Sequence, residues 1–154
     1  MMNVFISHST KDMQIVDEFA NILRLKGIEV YLAVLDAQPG TDLWGKIQAN
    51  IRNSSCVLAI MTIDGSRSDI VNQEIATANA FKIPVVPIVE KGVTLKGVLV
   101  GKEYIEFDKN NPKQAYINAD NYLDILKVQV ENKKFIGKLV LAGLAIWLIS
   151  YYGE

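Results

Sequence analysis

The residues of this 154-residue chain that could do chemistry are a single glutamate, Glu74, and polar groups at Ser7-His8-Ser9, Asp36–Asp42 and Asp64–Asp69. Glu74 stands one helical turn from both Ile70 and Ala78, which puts its carboxylate on or beside an apolar stripe. Partial burial there raises the carboxyl pKa and suits the group to hydrogen bonding or proton exchange with a ligand. The competing reading is a surface glutamate at the edge of the stripe. Ser7 is the better contact candidate of its group, because Ser9 or Thr10 serves as a helix cap. His8 is the sole histidine and Cys56 the sole cysteine, so a zinc site and a histidine pair are not expected. Cys56 lies in the apolar run Cys56-Val57-Leu58-Ala59-Ile60 and reads as a small buried hydrophobe. No glycine-rich phosphate loop follows any strand, which argues against a nucleoside triphosphatase and a standard dinucleotide fingerprint.

Short apolar runs alternating with segments of helical period must position these groups, and that alternation is the pattern of βα units around a parallel sheet. Expected strands are Val4–Ile6, Ile28–Ala33, Ser55–Thr62, Val85–Val89 and Tyr104–Phe107. The third is nearly all apolar and belongs at the sheet's centre. Pro87 suggests an irregular or less fully paired fourth strand, and Glu103 and Glu106 mark the fifth as an edge. Helices are expected after Ser9 or Thr10 until Gly27, over Leu43–Asn53, and over Asp69–Phe81 with Ser68 as N-cap. Asp108–Pro112 opens a further one. The architecture is α/β, a flavodoxin-like doubly wound five-stranded parallel sheet. Ligands of such sheets bind outside the carboxyl ends of the strands, where the polar groups collect.

Half the residues are hydrophobic and about a fifth charged, with a formal net charge of −1. No basic field is available for a nucleic-acid backbone, so no nucleic-acid partner is expected. The mean hydropathy of +0.18 is high for a small domain, and the excess sits in Leu139–Ile149, which has no charged residue on any face. As a helix, Phe135–Tyr152 would span roughly 27 Å, just under a bilayer's hydrocarbon core. Trp147, Tyr151 and Tyr152 cluster at its far end, and Lys127, Lys133, Lys134 and Lys138 lie on the side of the globular part. The expected organisation is a domain over 1–130 and a hydrophobic helix over 131–154 that anchors it to a membrane from the cytosolic side. The alternative is a helix buried against another subunit of a cytoplasmic protein. Met1-Met2-Asn3 runs directly into Val4-Phe5-Ile6, so a secretion leader is not expected.

Val4-Phe5-Ile6-Ser7-His8-Ser9 followed by Lys11-Asp12 resembles the opening signature of TIR domains. Asp36–Asp42 is similar to the family's loop after the second strand, Asn53–Val57 to its approach to the central strand, Ser68–Glu74 to its serine-to-glutamate helix start, and Ile83–Ile88 to the strand that follows. The resemblance covers about residues 3–107 and is nearest to bacterial and archaeal single-domain members. It implies assembly with other TIR domains and, in many members, cleavage of NAD at the nicotinamide–ribose bond to ADP-ribose or cyclised products, usually in defence signalling. NAD is then a substrate, and no cofactor or metal is implied. The family's catalytic glutamate corresponds to Glu74, which would hold the ribose hydroxyls and stabilise an oxocarbenium-like transition state. By the same resemblance Phe5 and Ser7 line the pocket, Asp36 and Trp44 border it, and Ser68 lies near Glu74. Many catalytic members carry a tryptophan four residues before the glutamate. This chain has Ile70 there, which walls off water but cannot stack on a base. A non-catalytic adaptor that recruits other TIR proteins through Asp36–Asp42 is the alternative reading. A phospho-acceptor receiver, of the same topology, is disfavoured because Ser7-His8 and Thr62 stand where receivers carry aspartates.

Overall fold

The computed structural model describes residues 2–32, 40–111, 113–114, 116–118, 121–122 and 124–125. Five parallel strands form one sheet in the order β2-β1-β3-β4-β5. They are β1 (Asn3–Ser7), β2 (Glu29–Leu32), β3 (Cys56–Met61), β4 (Val85–Glu90) and β5 (Ile105–Phe107). Helices α1 (Met13–Leu25), α2 (Leu43–Arg52), α3 (Ile63–Arg67) and α4 (Asp69–Ala80) connect them. The doubly wound arrangement is the one expected, with β3 at the centre and every one of its residues buried.

Two-residue alternation along the strands divides the core between the faces of the sheet. Val4 and Ile6 of β1, with Cys56, Leu58 and Ile60 of β3, pack against Val16, Phe19, Ala20 and Leu23 of α1. Tyr116 and Tyr122 complete that face, and Phe19 meets Tyr116 edge to face at 4.8 Å. On the other face Phe5, Val57, Ala59 and Met61 pack against Ile47 and Ile51 of α2 and Val71, Ile75 and Ala78 of α4. Cys56 is fully buried, and desolvation pushes its thiol up to about 12, as befits a small hydrophobe.

Two expectations need correction. β4 is fully buried and paired along its length with β3, from Val57↔Val85 to Met61↔Val89, so Pro87 does not weaken it. The Val57 N–H donates to the Pro84 carbonyl. By alternation Val86 and Ile88 also turn their backbone groups to β3, while Pro87 turns its hydrogen-less nitrogen to the opposite side. β5 pairs only from Ile88 onward, so no ladder bond is lost. The second correction is that Ile63–Arg67 is a short helix rather than loop. Thr62 starts it, its hydroxyl accepting from the Gly65 N–H at 2.8 Å. At the N-terminus Ser9 caps a 3-10 turn over Thr10–Asp12, from which α1 continues.

Among the described residues no helix is long and apolar enough to cross a membrane. The hydrophobic segment expected over 131–154 lies outside the described residues.

Candidate active site

β1 ends on Ser7, whose side chain shares the face of Phe5, and α4 lies across that face. Val71, Ile75 and Ala78 carry the apolar stripe of α4, and Glu74 falls within it with no exposed surface. The sequence left open whether Glu74 was surface or stripe; it is wholly buried. The Ser7 hydroxyl, also fully buried, donates to Glu74 Oε2 at 2.5 Å. Glu74 Oε1 is buried without a hydrogen-bond partner among the described residues. Desolvation pushes the carboxyl up from its ordinary 4.5 to about 7, and the Ser7 hydrogen bond holds it back from rising further. No charged group contributes to that shift. A carboxyl in this condition can hold a proton near neutrality and accept or donate through Oε1.

The other residues singled out from the sequence take varied places. Phe5 is fully buried beneath α4, and Trp44, the second residue of α2, is half-buried against the same cluster. Phe5, Ser7, Trp44 and Glu74 thus gather on one face of the sheet. Ser68 is the N-cap of α4, accepting from the Val71 N–H at 3.3 Å, and its carbonyl accepts from Asn72 Nδ2 at 2.9 Å. It sets the start of the helix that carries Glu74 and makes no described contact with the carboxyl. Ile70 is 54% exposed in the first turn of α4, so it is not part of the packed wall. Asp36 lies outside the described residues, as do residues 33–39 of the loop around it; Asp42 caps α2 through the Gly45 N–H at 2.9 Å. His8 is nearly buried, and its Nδ1 lies 3.1 Å from the Ile6 carbonyl. A carbonyl only accepts, so Nδ1 carries the proton, and this supports the structural reading of His8.

A second polar cluster at the same ends of the strands was not read from the sequence. The buried Thr62 hydroxyl donates to Asp12 Oδ2 at 2.5 Å. Glu90, at the end of β4, accepts from the Ile63 N–H at 3.0 Å and lies 3.8 Å from Lys109 Nζ. Lys11 pairs with Asp64 at 3.5 Å at the exposed rim. Burial raises the Asp12 pKa, while the Thr62 hydrogen bond and Lys109 oppose the rise. Among the described residues no group of three or more His, Cys, Asp or Glu side chains could hold a metal. The signal available in the sequence was an aspartate in the turn after β1 and a threonine ending β3, but their contact is a long-range one.

Comparison with known proteins bears on the family and the fold. A family profile described as TIR domain matches residues 4–119. The TIR domain of the Toll-related receptor TRR-2 from Hydra magnipapillata superposes with a TM-score of 0.66 at 17% identity, covering 80% of this chain and 97% of that one. The CMP N-glycosidase BcmB of Clostridium botulinum superposes with a TM-score of 0.57 at 17% identity, over 77% of this chain and 98% of that one. The TIR domains of the activated Roq1 resistosome, which directly recognises the pathogen effector XopQ, give 0.51 at 16% identity, over 94% and 84%. At these identities the superpositions speak for the fold. No curated protein sequence gives a significant match.

Proposed function

The chain belongs to the TIR domain family, and on that premise we propose that it cleaves NAD at the bond between nicotinamide and ribose. The carrying observation is Glu74, fully buried behind Ser7 with one carboxyl oxygen unpartnered among the described residues. Such an oxygen is what a ribose hydroxyl can bind. As the C1′–N bond breaks, its electron pair leaves with nicotinamide and positive charge develops on the ribose. A carboxylate held in a low-dielectric site stabilises that charge strongly. Water adding at C1′ and losing a proton gives ADP-ribose, whereas attack by an adenine nitrogen gives a cyclic product. Phe5 supplies the apolar floor, and Trp44 and Asp36 are proposed to border the substrate from the α2 side. Ser68 acts at one remove, by starting α4. The fold is shared with a protein named as a CMP N-glycosidase, and that likeness is in keeping with this reading.

Self-association with other TIR domains is the proposed trigger and defence signalling the proposed setting, in line with the resistosome TIR domains that share the fold. Residues 131–154 are proposed to tether the domain to a membrane from the cytosolic side, the alternative being a cytoplasmic assembly. Sedimentation with membranes should be lost when the chain ends at Lys134; equal sedimentation rules the tether out.

One observation favours a second reading, a recruiting adaptor without catalysis: Ile70, exposed at 54%, provides no ring to stack on a base. Chromatography of NAD incubated with concentrated or liposome-bound protein separates the two. Nicotinamide release by the wild type and not by Glu74→Ala supports the enzyme. No turnover by folded, clustered wild type, with binding to another TIR domain retained, replaces it with the adaptor.

A further inference from the structure

The polar cluster beside the site is linked to it through a run of hydrogen bonds, buried at Ser7–Glu74 and at Asp12–Thr62–Gly65 and exposed at Asn72. Ser7 of β1 donates to Glu74 of α4. Asn72, in the α4 turn that precedes Glu74, donates from Nδ2 to the carbonyls of Ser66 at 3.2 Å and Ser68 at 2.9 Å, tying α4 back to α3. The start of α3 is held by the Gly65 N–H on the Thr62 hydroxyl. That same hydroxyl donates to Asp12 Oδ2, in the turn that leaves β1 just after Ser7. Glu90 adds a second hold on α3 through the Ile63 N–H.

The run is stiff where it must be. A Cβ on Gly65 would come within 2.3 Å of the Ile60 carbonyl oxygen, so α3 sits directly on the end of β3 with no room to slide. Thr62 uses its one hydroxyl both ways, donating to Asp12 and accepting from Gly65, so the acceptor that Asp12 supplies fixes the direction of the hydroxyl dipole and strengthens the cap. Among the described residues neither Asp12 nor Thr62 makes a hydrogen bond to Ser7 or Glu74. Their bond instead joins the chain leaving Ser7 to the helices that deliver Glu74.

We propose that Thr62 and Asp12 are positioning residues for Glu74: their buried hydrogen bond locks the α3–α4 corner to the end of β1 and so holds the Glu74 carboxyl on Ser7. The inference rests on the reading of Glu74 as the catalytic carboxylate. Misplacing a reacting group by about 1 Å can cost on the order of 100-fold in rate, so loosening the corner should be felt in turnover before it is felt in substrate binding.

The test is a double-mutant cycle in the full chain. Thr62→Val keeps the side-chain shape without the hydroxyl, Thr62→Ser restores it, and Ser7→Ala removes the contact on which Thr62 is held to act. Nicotinamide release by clustered protein should lose about 10-fold in kcat with KM within about 2-fold in T62V, and T62S should recover to within about 2-fold. In the Ser7→Ala background T62V should cost less than about 2-fold, because the contact it positions is gone. A loss of the same size in both backgrounds, or no loss in the first, overturns the proposal. If T62V lacks a native unfolding transition, Thr62→Ala takes its place in the cycle.

A second readout needs no turnover. Carbon-13 NMR of the Glu74 carboxyl should show T62V moving the titration midpoint toward that of S7A, and T62V should add nothing to S7A. If the wild type releases no nicotinamide but this cycle is non-additive, the enzymatic reading fails alone. If the midpoint moves equally in both backgrounds, positioning fails whatever the turnover.

Discussion

Glu74 and Asp12 are both carboxylates taken out of water near the carboxyl end of the sheet, each accepting a hydroxyl hydrogen bond at 2.5 Å. Burial raises the pKa of both. What differs is compensation. Lys109 opposes the rise at Asp12 while Asp64 and Glu90 add to it, and no Asp12 oxygen is among the buried atoms without a partner. Among the described residues Glu74 has Ser7 alone, no countercharge, and an Oε1 without a partner. A buried polar group that is satisfied serves the fold, whereas one left unsatisfied costs stability and is retained for another reason. The pair therefore contrasts a carboxylate satisfied within the fold with one left with an open oxygen, and the proposed role of Glu74 rests on that contrast.

The largest expected effect falls on activity. Glu74→Gln keeps the shape of the side chain and removes the charge, and nicotinamide release should fall about 10²–10³-fold, the range for loss of a preorganised charge-stabilising group. Thermal unfolding should show an intact fold. Steady-state assays of clustered protein check this, and turnover within about 3-fold of wild type would break the comparison at its functional end.

Next is the dependence of stability on pH. The folded-state pKa of Glu74 is raised from 4.5 to about 7, so the folded chain keeps a proton that the unfolded chain has released in this window. Burial of Glu74 carries no charge penalty below 4.5. The penalty grows as pH rises and is complete above 7, where it amounts to about 3 kcal/mol. Urea unfolding at pH 5 and pH 8 should therefore show wild type losing about 2.5 kcal/mol of stability relative to Glu74→Gln, since part of the penalty is already present at pH 5. Parallel curves for the two proteins would mean that Glu74 ionises without cost and that its missing partner is supplied in solution.

Asp12→Ala should act in the opposite sense. It removes the acceptor of the buried Thr62 hydroxyl and unbalances the Glu90–Lys109 pair, so stability at neutral pH should fall by about 2 kcal/mol. A urea midpoint unchanged from wild type would erase the distinction between the two carboxylates.

How much of this was legible in the sequence follows from the range of each interaction. The strands, the central place of β3 and the helix caps at Ser9 and Ser68 are local or periodic, and the alternation of Val4-Phe5-Ile6-Ser7 with the spacing of Ile70, Glu74 and Ala78 carried them. The same spacing put Glu74 on or beside the stripe and left open which, because the depth of a helix position depends on the strands it crosses. α3 was missed because a five-residue helix containing Gly65 has too little periodicity, and the Glu90 carboxylate and the Asn72 side chain that hold it beyond its own Thr62 cap are distant or outside its span. The bond from Asp12 to Thr62 spans 50 residues, and no local pattern encodes it. Pro87 misled because the side of the ladder its nitrogen faces is settled by register, which the strand's own residues do not announce.

The smallest expected effect concerns Ile70, where the family resemblance and this chain part. Ile70 is 54% exposed, so Ile70→Trp meets no close packing and should change stability by no more than about 0.5 kcal/mol. The helix places residue 70 one turn before Glu74 on the same side, which puts a new ring next to the carboxyl's approach rather than in the core. Stacking on a substrate base is worth about 1 kcal/mol, so kcat/KM for NAD should rise about 5-fold if the approach to Glu74 passes over this turn. Such a rise, absent in an Ile70→Trp, Glu74→Gln double variant, would sharpen the assignment of Glu74 as the carboxylate kept for use. An unchanged kcat/KM in an active wild type would instead mean that Trp44, half-buried against the Phe5 cluster, already provides the stacking surface, and Trp44→Leu should then carry the loss.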